Sequence, residues 1–340
     1  MAIQICPSAW SEMSVNACSS DQYCNKVSLS SQPMTAIQLE GLSKDYGDVL
    51  AADDLTFSVE TGEIFGYLGP NGAGKTTTIR MLLGFISPTA GSATVLGHDI
   101  RDRRALVEAK RRIGYLSDEP GFDESATGDA ILDLHASVKG DERRAELLDL
   151  FEPPLDRQIR DYSRGNVQKL GLVTTFMHDP DLVILDEPTS GLDPLMKQRF
   201  VEFLRGEQDR GVTVFFSSHV LSEVRRLCDR VGIIRNGRLV TIEPIETLLT
   251  RSGKVVRIHS AAPLPLNLLD LDGVHDLETS SHGGADEIDR TEEFTECAFT
   301  FTGDINALLS RLHPHELLDL SIEEAPLEDV FMRFYGGDDV

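Results

Sequence analysis

From Ile37 to about Ile245, short apolar runs alternate with longer amphipathic ones. "DLTFSVE" and "EIFGYLG" read as strands, and "GKTTTIRMLLGF" as a helix. "RRIGYLS" predicts a further strand, followed by helical runs in "ATGDAILDLHASV" and "DERRAELLDLF". "DLVILDE" and "GVTVFFSS" are short, apolar and rich in β-branched residues, as expected of strands buried on both faces. This succession predicts an α/β domain around a mainly parallel sheet.

Beyond roughly residue 250 the pattern changes. "KVVRIHS", "ECAFTFTG" and "ELLDLSIEE" read as strands, "DINALLSRL" and "PLEDVFMRFYG" as helices, with the polar loop "SSHGGADEIDRTEE" among them. Residues 251–340 carry 19 acidic and 6 basic side chains. A small, acidic α+β domain over residues 246–340 is expected. At the other end, residues 1–33 are rich in Ser, Asn, Gln and Cys and show no periodicity. They read as a disordered leader or the product of an upstream start. "MTAIQLEGLSKDYG", from Met34, has the character of a natural beginning, with Ile37 and Leu39 alternating as in a strand.

Charge narrows the partners. The chain of 340 residues has a net charge of −24, which opposes binding to nucleic acid, whose phosphates need a basic footprint. Eight lysines stand against 24 arginines; an acidic, lysine-poor surface fits a salt-loving host, ordinary acidic solubility being the alternative. No apolar run approaches the ~18–20 residues that span a bilayer, and no basic flank precedes an apolar core at the N-terminus. A cytosolic protein is expected. Cys6, Cys18, Cys24, Cys228 and Cys297 match neither a zinc site nor a disulfide framework and read as free thiols.

"GPNGAGKT" (Gly69, Pro70, Asn71, Gly72, Ala73, Gly74, Lys75, Thr76) follows a strand and opens a helix, the context that makes G-x-x-x-x-G-K-[ST] a phosphate-binding P-loop. Its glycines let backbone N–H groups curl around phosphate oxygens at a helix start, with Thr77 in the same first turn. Lys75 is expected on the β- and γ-phosphates and Thr76 on Mg²⁺. "LVILDEP" ends a buried strand on Asp186 and Glu187, where such sheets bind ligands. Asp186 is expected to hold Mg²⁺ and Glu187 to polarise the attacking water.

Together with "YSRGNVQK", "SGLDP" and "SSH" in this order, these motifs resemble the ABC-type ATPases over about residues 36–245. Ser163 follows Lys75 by 88 residues and precedes Asp186 by 23. The tail, ending "SIEEAPLEDVFMRFYGG", more loosely resembles the accessory domain of ATPases serving ABC-2-type exporters. The resemblance implies a P-loop NTPase fold over residues 34–245, with a helical subdomain at about 118–180 and the accessory domain behind it. It implies ATP bound between two subunits of a homodimer or heterodimer. Ser163 and Gly165 of one subunit would then grip the γ-phosphate of ATP on the partner's P-loop. Tyr46 would stack on adenine, His219 contact the γ-phosphate, and Asp193 link the two sites. The expected function is the ATP-hydrolysing subunit of an exporter, peripheral on the cytoplasmic membrane face through a separate transmembrane permease.

The chain departs from the family pattern twice. Arg164 replaces the first of two glycines in the signature, so it either points away from phosphate or adds charge attraction. Asp118 stands where the family has a Mg²⁺- and membrane-sensing glutamine; an acid there could still bind a cation. The competing reading, a soluble ABC ATPase acting in translation or on DNA, usually carries two cassettes or a long coiled coil between P-loop and signature. Neither pattern is present.

Overall fold

A computed structural model describes residues 34–280 and 293–324. The expectations for the leader, for most of "SSHGGADEIDRTEE" and for "PLEDVFMRFYG" fall outside the described residues.

Strands β1 (Thr35–Asp45) and β2 (Leu50–Glu60) form an antiparallel pair. The run "IFGYL" is β3 (Ile64–Leu68), buried at every position, and it feeds α1 (Lys75–Leu82). β4 (Ala90–Val95) and β5 (His98–Asp99) complete a four-stranded antiparallel sheet, ordered β2-β1-β4-β5. α2 (Arg103–Arg111) starts on Asp102, whose carboxylate accepts from the N–H groups of Arg104 and Ala105. Next come β6 (Ile113–Leu116) and three helices, α3 (Gly128–Lys139), α4 (Arg144–Phe151) and α5 (Arg164–Phe176). β7 (Leu182–Asp186), α6 (Pro194–Asp209), β8 (Thr213–Ser218), α7 (Leu221–Leu227), β9 (Arg230–Arg235) and β10 (Arg238–Pro244) follow in order. The two-residue Asn236-Gly237 turn, both residues at positive φ, joins β9 to β10.

The central sheet runs β10-β9-β3-β8-β7-β6, parallel throughout except for the β9–β10 hairpin. Both its faces are buried. Along β3, Ile64 and Leu68 join a cluster with the helices α3 to α7, while Phe65 and Tyr67 face the antiparallel sheet with α1 and α2. The rings of Phe57, Phe65 and Phe215 stack at 5.5 and 5.8 Å across that second layer. The antiparallel sheet is absent from the sequence-based picture beyond the readings of β1 and β2. It supplies the apolar face that lets the parallel strands be hydrophobic on both sides. Because β3, β7 and β8 are parallel, Leu68, Asp186 and Ser218 emerge at one sheet edge.

After α8 (Ile245–Ser252), a third sheet is built from β11 (Lys254–Pro265), β12 (Val274–Ser280), β13 (Glu293–Phe301) and β14 (Leu317–Glu324), ordered β12-β13-β11-β14, with α9 (Ile305–Leu312) between the last two in sequence. It has its own core, where Val256, Ile258, Phe299 and Phe301 meet Leu308 and Leu312 of α9. Cys228 and Cys297 are buried free thiols, and burial pushes both upward, Cys297 to about 12. Among the described residues, no helix is long and apolar enough to cross a membrane.

Candidate functional site

The P-loop bends out of β3 and re-enters the fold as α1. Gly74, at φ 107°, is the N-cap and has no side chain to cap the N–H groups of the first turn. Those N–H groups are thus available to an anion. A Cβ at Gly74 would lie 2.2 Å from the carbonyl oxygen of Ala51, so β2 holds the loop too closely for any other residue. The Asn236-Gly237 turn braces it from behind, the Gly237 N–H donating to the Ala73 carbonyl at 2.9 Å. Beside the loop is a cleft of about 210 Å³. Pro70, Asn71, Gly72, Gly74, Lys75, Thr76 and Thr77 line it, together with Ala51, Asp118, Asp186 and Glu187.

The polar groups in the cleft form a connected set. The Lys75 ammonium donates to the carbonyl of Gly69 at 2.7 Å and lies 3.3 Å from Glu187 Oε1. Glu187 Oε2 is 2.9 Å from Nδ1 of His219. Glu187 holds φ at 51°, a backbone conformation uncommon for a side-chain-bearing residue, and its N–H donates to the Ser217 carbonyl. The chain therefore turns sharply as it leaves β7. Asp186 points differently, accepting from the Thr76 hydroxyl at 2.8 Å and the Ser217 hydroxyl at 3.0 Å. Burial pushes its carboxyl above the usual range, against the pull of those two hydrogen bonds.

The remaining expected residues stand elsewhere. Ser163 caps α5, its hydroxyl accepting from the Asn166 N–H at 3.3 Å. A Cβ on Gly165 would come within 2.7 Å of the Gly191 carbonyl, which accounts for glycine in the turn. Asp193 caps α6 by accepting from the Met196 N–H, and that bond above all lowers its pKa. Tyr46 is exposed, with the Lys44 ammonium 5.0 Å from its ring centroid. None of these four lines the P-loop cleft. The Arg164 guanidinium sits 3.2 Å from the Asp118 carboxylate. The two departures from the family pattern are partners.

Sequence reasoning missed several supporting residues. Gln168, inside the quoted signature, donates from its buried amide to the Pro188 carbonyl at 2.9 Å and so ties α5 to the chain after Glu187. Ser217, inside "SSH", orients Asp186. Glu223 on α7 accepts from Thr189, Lys197 and Ser218. Its sequence position reads only as one acid on an amphipathic helix.

Comparison with known proteins agrees with this arrangement. The family described as ABC transporter matches residues 52–190. The bacitracin transport ATP-binding protein BcrA of Bacillus licheniformis is 33% identical over 314 residues, covering 89% of this chain and 98% of that protein. The Nod factor export ATP-binding protein I of Rhizobium johnstonii is 34% identical over 311 residues, covering 88% and 95%. A solved ATP-binding subunit of an ABC transporter superposes with a TM-score of 0.59 at 31% identity, over 64% of this chain and 93% of that one.

Proposed function

This chain belongs to the ABC transporter ATP-binding proteins, and on that premise we propose that it closes head to tail with a second ATPase subunit around two ATP molecules. The observation that supports this most is that the helix start at Ser163 and Gly165, which carries the signature, stands outside the cleft that the P-loop lines. The start at Ser163 and Gly165 serves the ATP of the partner subunit, a second copy or a related chain. Closure drives a separate membrane permease, which seats this subunit on the cytoplasmic face of the membrane. The direction is export, in keeping with the Nod factor export relative.

Within the cleft, the P-loop N–H groups and Lys75 hold the β- and γ-phosphates. Tyr46 offers its exposed ring to adenine, and Asp193 joins the two composite sites. The Thr76 hydroxyl and Asp186 carboxylate present hard oxygen donors side by side and would hold Mg²⁺; bound there, the ion neutralises charge on the β- and γ-phosphates. Asp118 lines the same cleft and would meet a cation with its carboxylate while one of its oxygens faces Arg164. Glu187 takes a proton from the attacking water as its oxygen bonds to the γ-phosphorus and the bond to the bridging oxygen breaks. His219 holds Glu187 and the γ-phosphate in line.

Ser163→Asp tests the composite site. Aspartate is as good an N-cap as serine, so α5 keeps its start, while a second negative charge faces the partner's phosphate. On a sizing column with Mg²⁺ and a non-hydrolysable ATP analogue, the wild-type chain is expected to elute as a dimer and the variant as a monomer. A variant that dimerises as well as wild type overturns the composite site.

The charge of −24 supports a salt-loving host as a further part of the proposal. Unscreened, that charge is self-repulsive, and ~0.1 M salt already shortens the Debye length to about 10 Å. A thermal melt across a KCl series is expected to move upward with salt. A flat or falling series returns the acidity to solubility alone.

A further inference from the structure

From its contacts we infer that Glu223 is a positioning residue for hydrolysis, the common anchor of the loop that carries Glu187 and Asp193, of the helix that follows that loop, and of the strand end that leads to His219. The inference rests on the hydrolytic reading of Glu187 and His219.

The carboxylate of Glu223 lies in the first turn of α7, behind the cleft, with its side chain 12% exposed. The Thr189 hydroxyl is 2.7 Å from both of its oxygens, the Lys197 ammonium 3.0 Å from one, and the Ser218 hydroxyl 3.3 Å from the other. Each donor belongs to a different segment of the site. Thr189 is two residues past Glu187. Lys197 is on α6, and its N–H donates to the carbonyl of Asp193, the N-cap of that helix. Ser218 precedes His219, and its hydroxyl also accepts from the Val220 N–H at 2.9 Å, so the histidine is bracketed on both sides.

Glu187 and His219 meet at 2.9 Å across two of these segments. Pairing of β7 with β8 and the Glu187 N–H on the Ser217 carbonyl fix where the two loops begin. The shared carboxylate ties them further along, at Thr189 beyond Glu187 and at Ser218 before His219, with hydrogen bonds strengthened by its charge. It acts through the loops and has no contact with the P-loop, so its loss is expected to appear in the chemical step and not in ATP binding.

Glu223→Ala is expected to lower kcat about 10- to 100-fold, the range a small misplacement of reacting groups carries, with the dissociation constant for a fluorescent ATP analogue changed less than twofold. Glu223→Gln keeps one acceptor and is expected to recover part of kcat. Thr189→Val removes a donor without touching α7; it is expected to show the same kcat-selective loss with an unchanged melting temperature. In a cycle with His219→Ala, the two losses should be less than additive, because Glu223 works in part through that histidine. Unchanged kcat in both Glu223→Ala and Thr189→Val overturns the inference. So does a loss that falls equally on binding, or one fully additive with His219→Ala. Glu187→Gln and His219→Ala alone separate the two readings. Should these keep turnover, the hydrolytic assignment fails; should they lose it while the Glu223 variants keep it, only the present inference fails.

Discussion

Glu187→Gln is expected to cut ATP turnover about 10²- to 10⁴-fold, the range spanned by general-base catalysis, while ATP affinity is retained. The substitution preserves the shape that packs against Lys75 and His219 but removes the carboxylate charge in contact with both. An amide cannot take the proton of an attacking water. Binding is spared for a separate reason: Lys75 and Thr76 reach the phosphates from α1, and loss of the carboxylate frees Lys75 from a competing anion 3.3 Å away. Single-turnover hydrolysis, set beside equilibrium binding of a fluorescent ATP analogue, measures the two effects independently. Turnover within a few-fold of wild type would falsify the assignment of Glu187 as the base.

The second large effect lies far from the cleft. Arg143→Ala is expected to destabilise the fold by about 3–5 kcal/mol, the cost of leaving a buried charge without its partner. Arg143 immediately precedes α4 and is 7% exposed. Its guanidinium donates to Glu207 of α6 at 2.5 and 2.7 Å and to Glu146 at 2.8 and 3.1 Å, with the ring of Phe203 5.9 Å away. Glu207 is 2% exposed, and its other cation, Arg210, stands at 3.9 Å. The alanine variant leaves that carboxylate buried beside a cavity. The double variant Arg143→Met with Glu207→Leu removes both charges and is expected to lie close to wild type or above it. Chemical denaturation midpoints of the two variants decide the matter. A single variant as stable as the double one would mean that Glu207 finds water or another partner.

The parts of this fold that depend on local pattern are legible in the sequence. β3, β7 and β8 are buried at every position because both faces of the central sheet are covered, and that shows in the apolar runs of "IFGYL", "LVILD" and "TVFFSS". The start of α5 at Ser163 is legible for a similar reason: a small capping residue opens a helical run. The hairpin at Asn236-Gly237 carries one of the strongest short-range signals available, yet it goes unread behind the stronger motif at "SSH". Strand order is not legible, because β3 pairs with β8 and β9, residues about 150 and 165 positions away. The same holds for the site. Lys75, Asp186 and Glu187 announce themselves by motif, but the Arg164–Asp118 pair joins residues 46 positions apart, and Glu223 matters only because a loop, a helix and a strand end converge on it. Such residues acquire their roles from tertiary proximity, which spacing along a chain does not encode.

The two ends of α5 are held by bonds of opposite kind. At its C-terminal end the Arg143 N–H donates to the carbonyl of Met177, and the Arg143–Glu207 pair is sealed from solvent, beyond the reach of dissolved ions. At its N-terminal end the grip is Arg164 on Asp118, both more than two-fifths exposed and open to screening. A helix of 13 residues is roughly 20 Å long at about 1.5 Å per residue. Between the two ends stands a further buried tie, the Gln168 amide on the Pro188 carbonyl, so of these holds on α5 the ion pair at its first turn is the one that dissolved salt weakens.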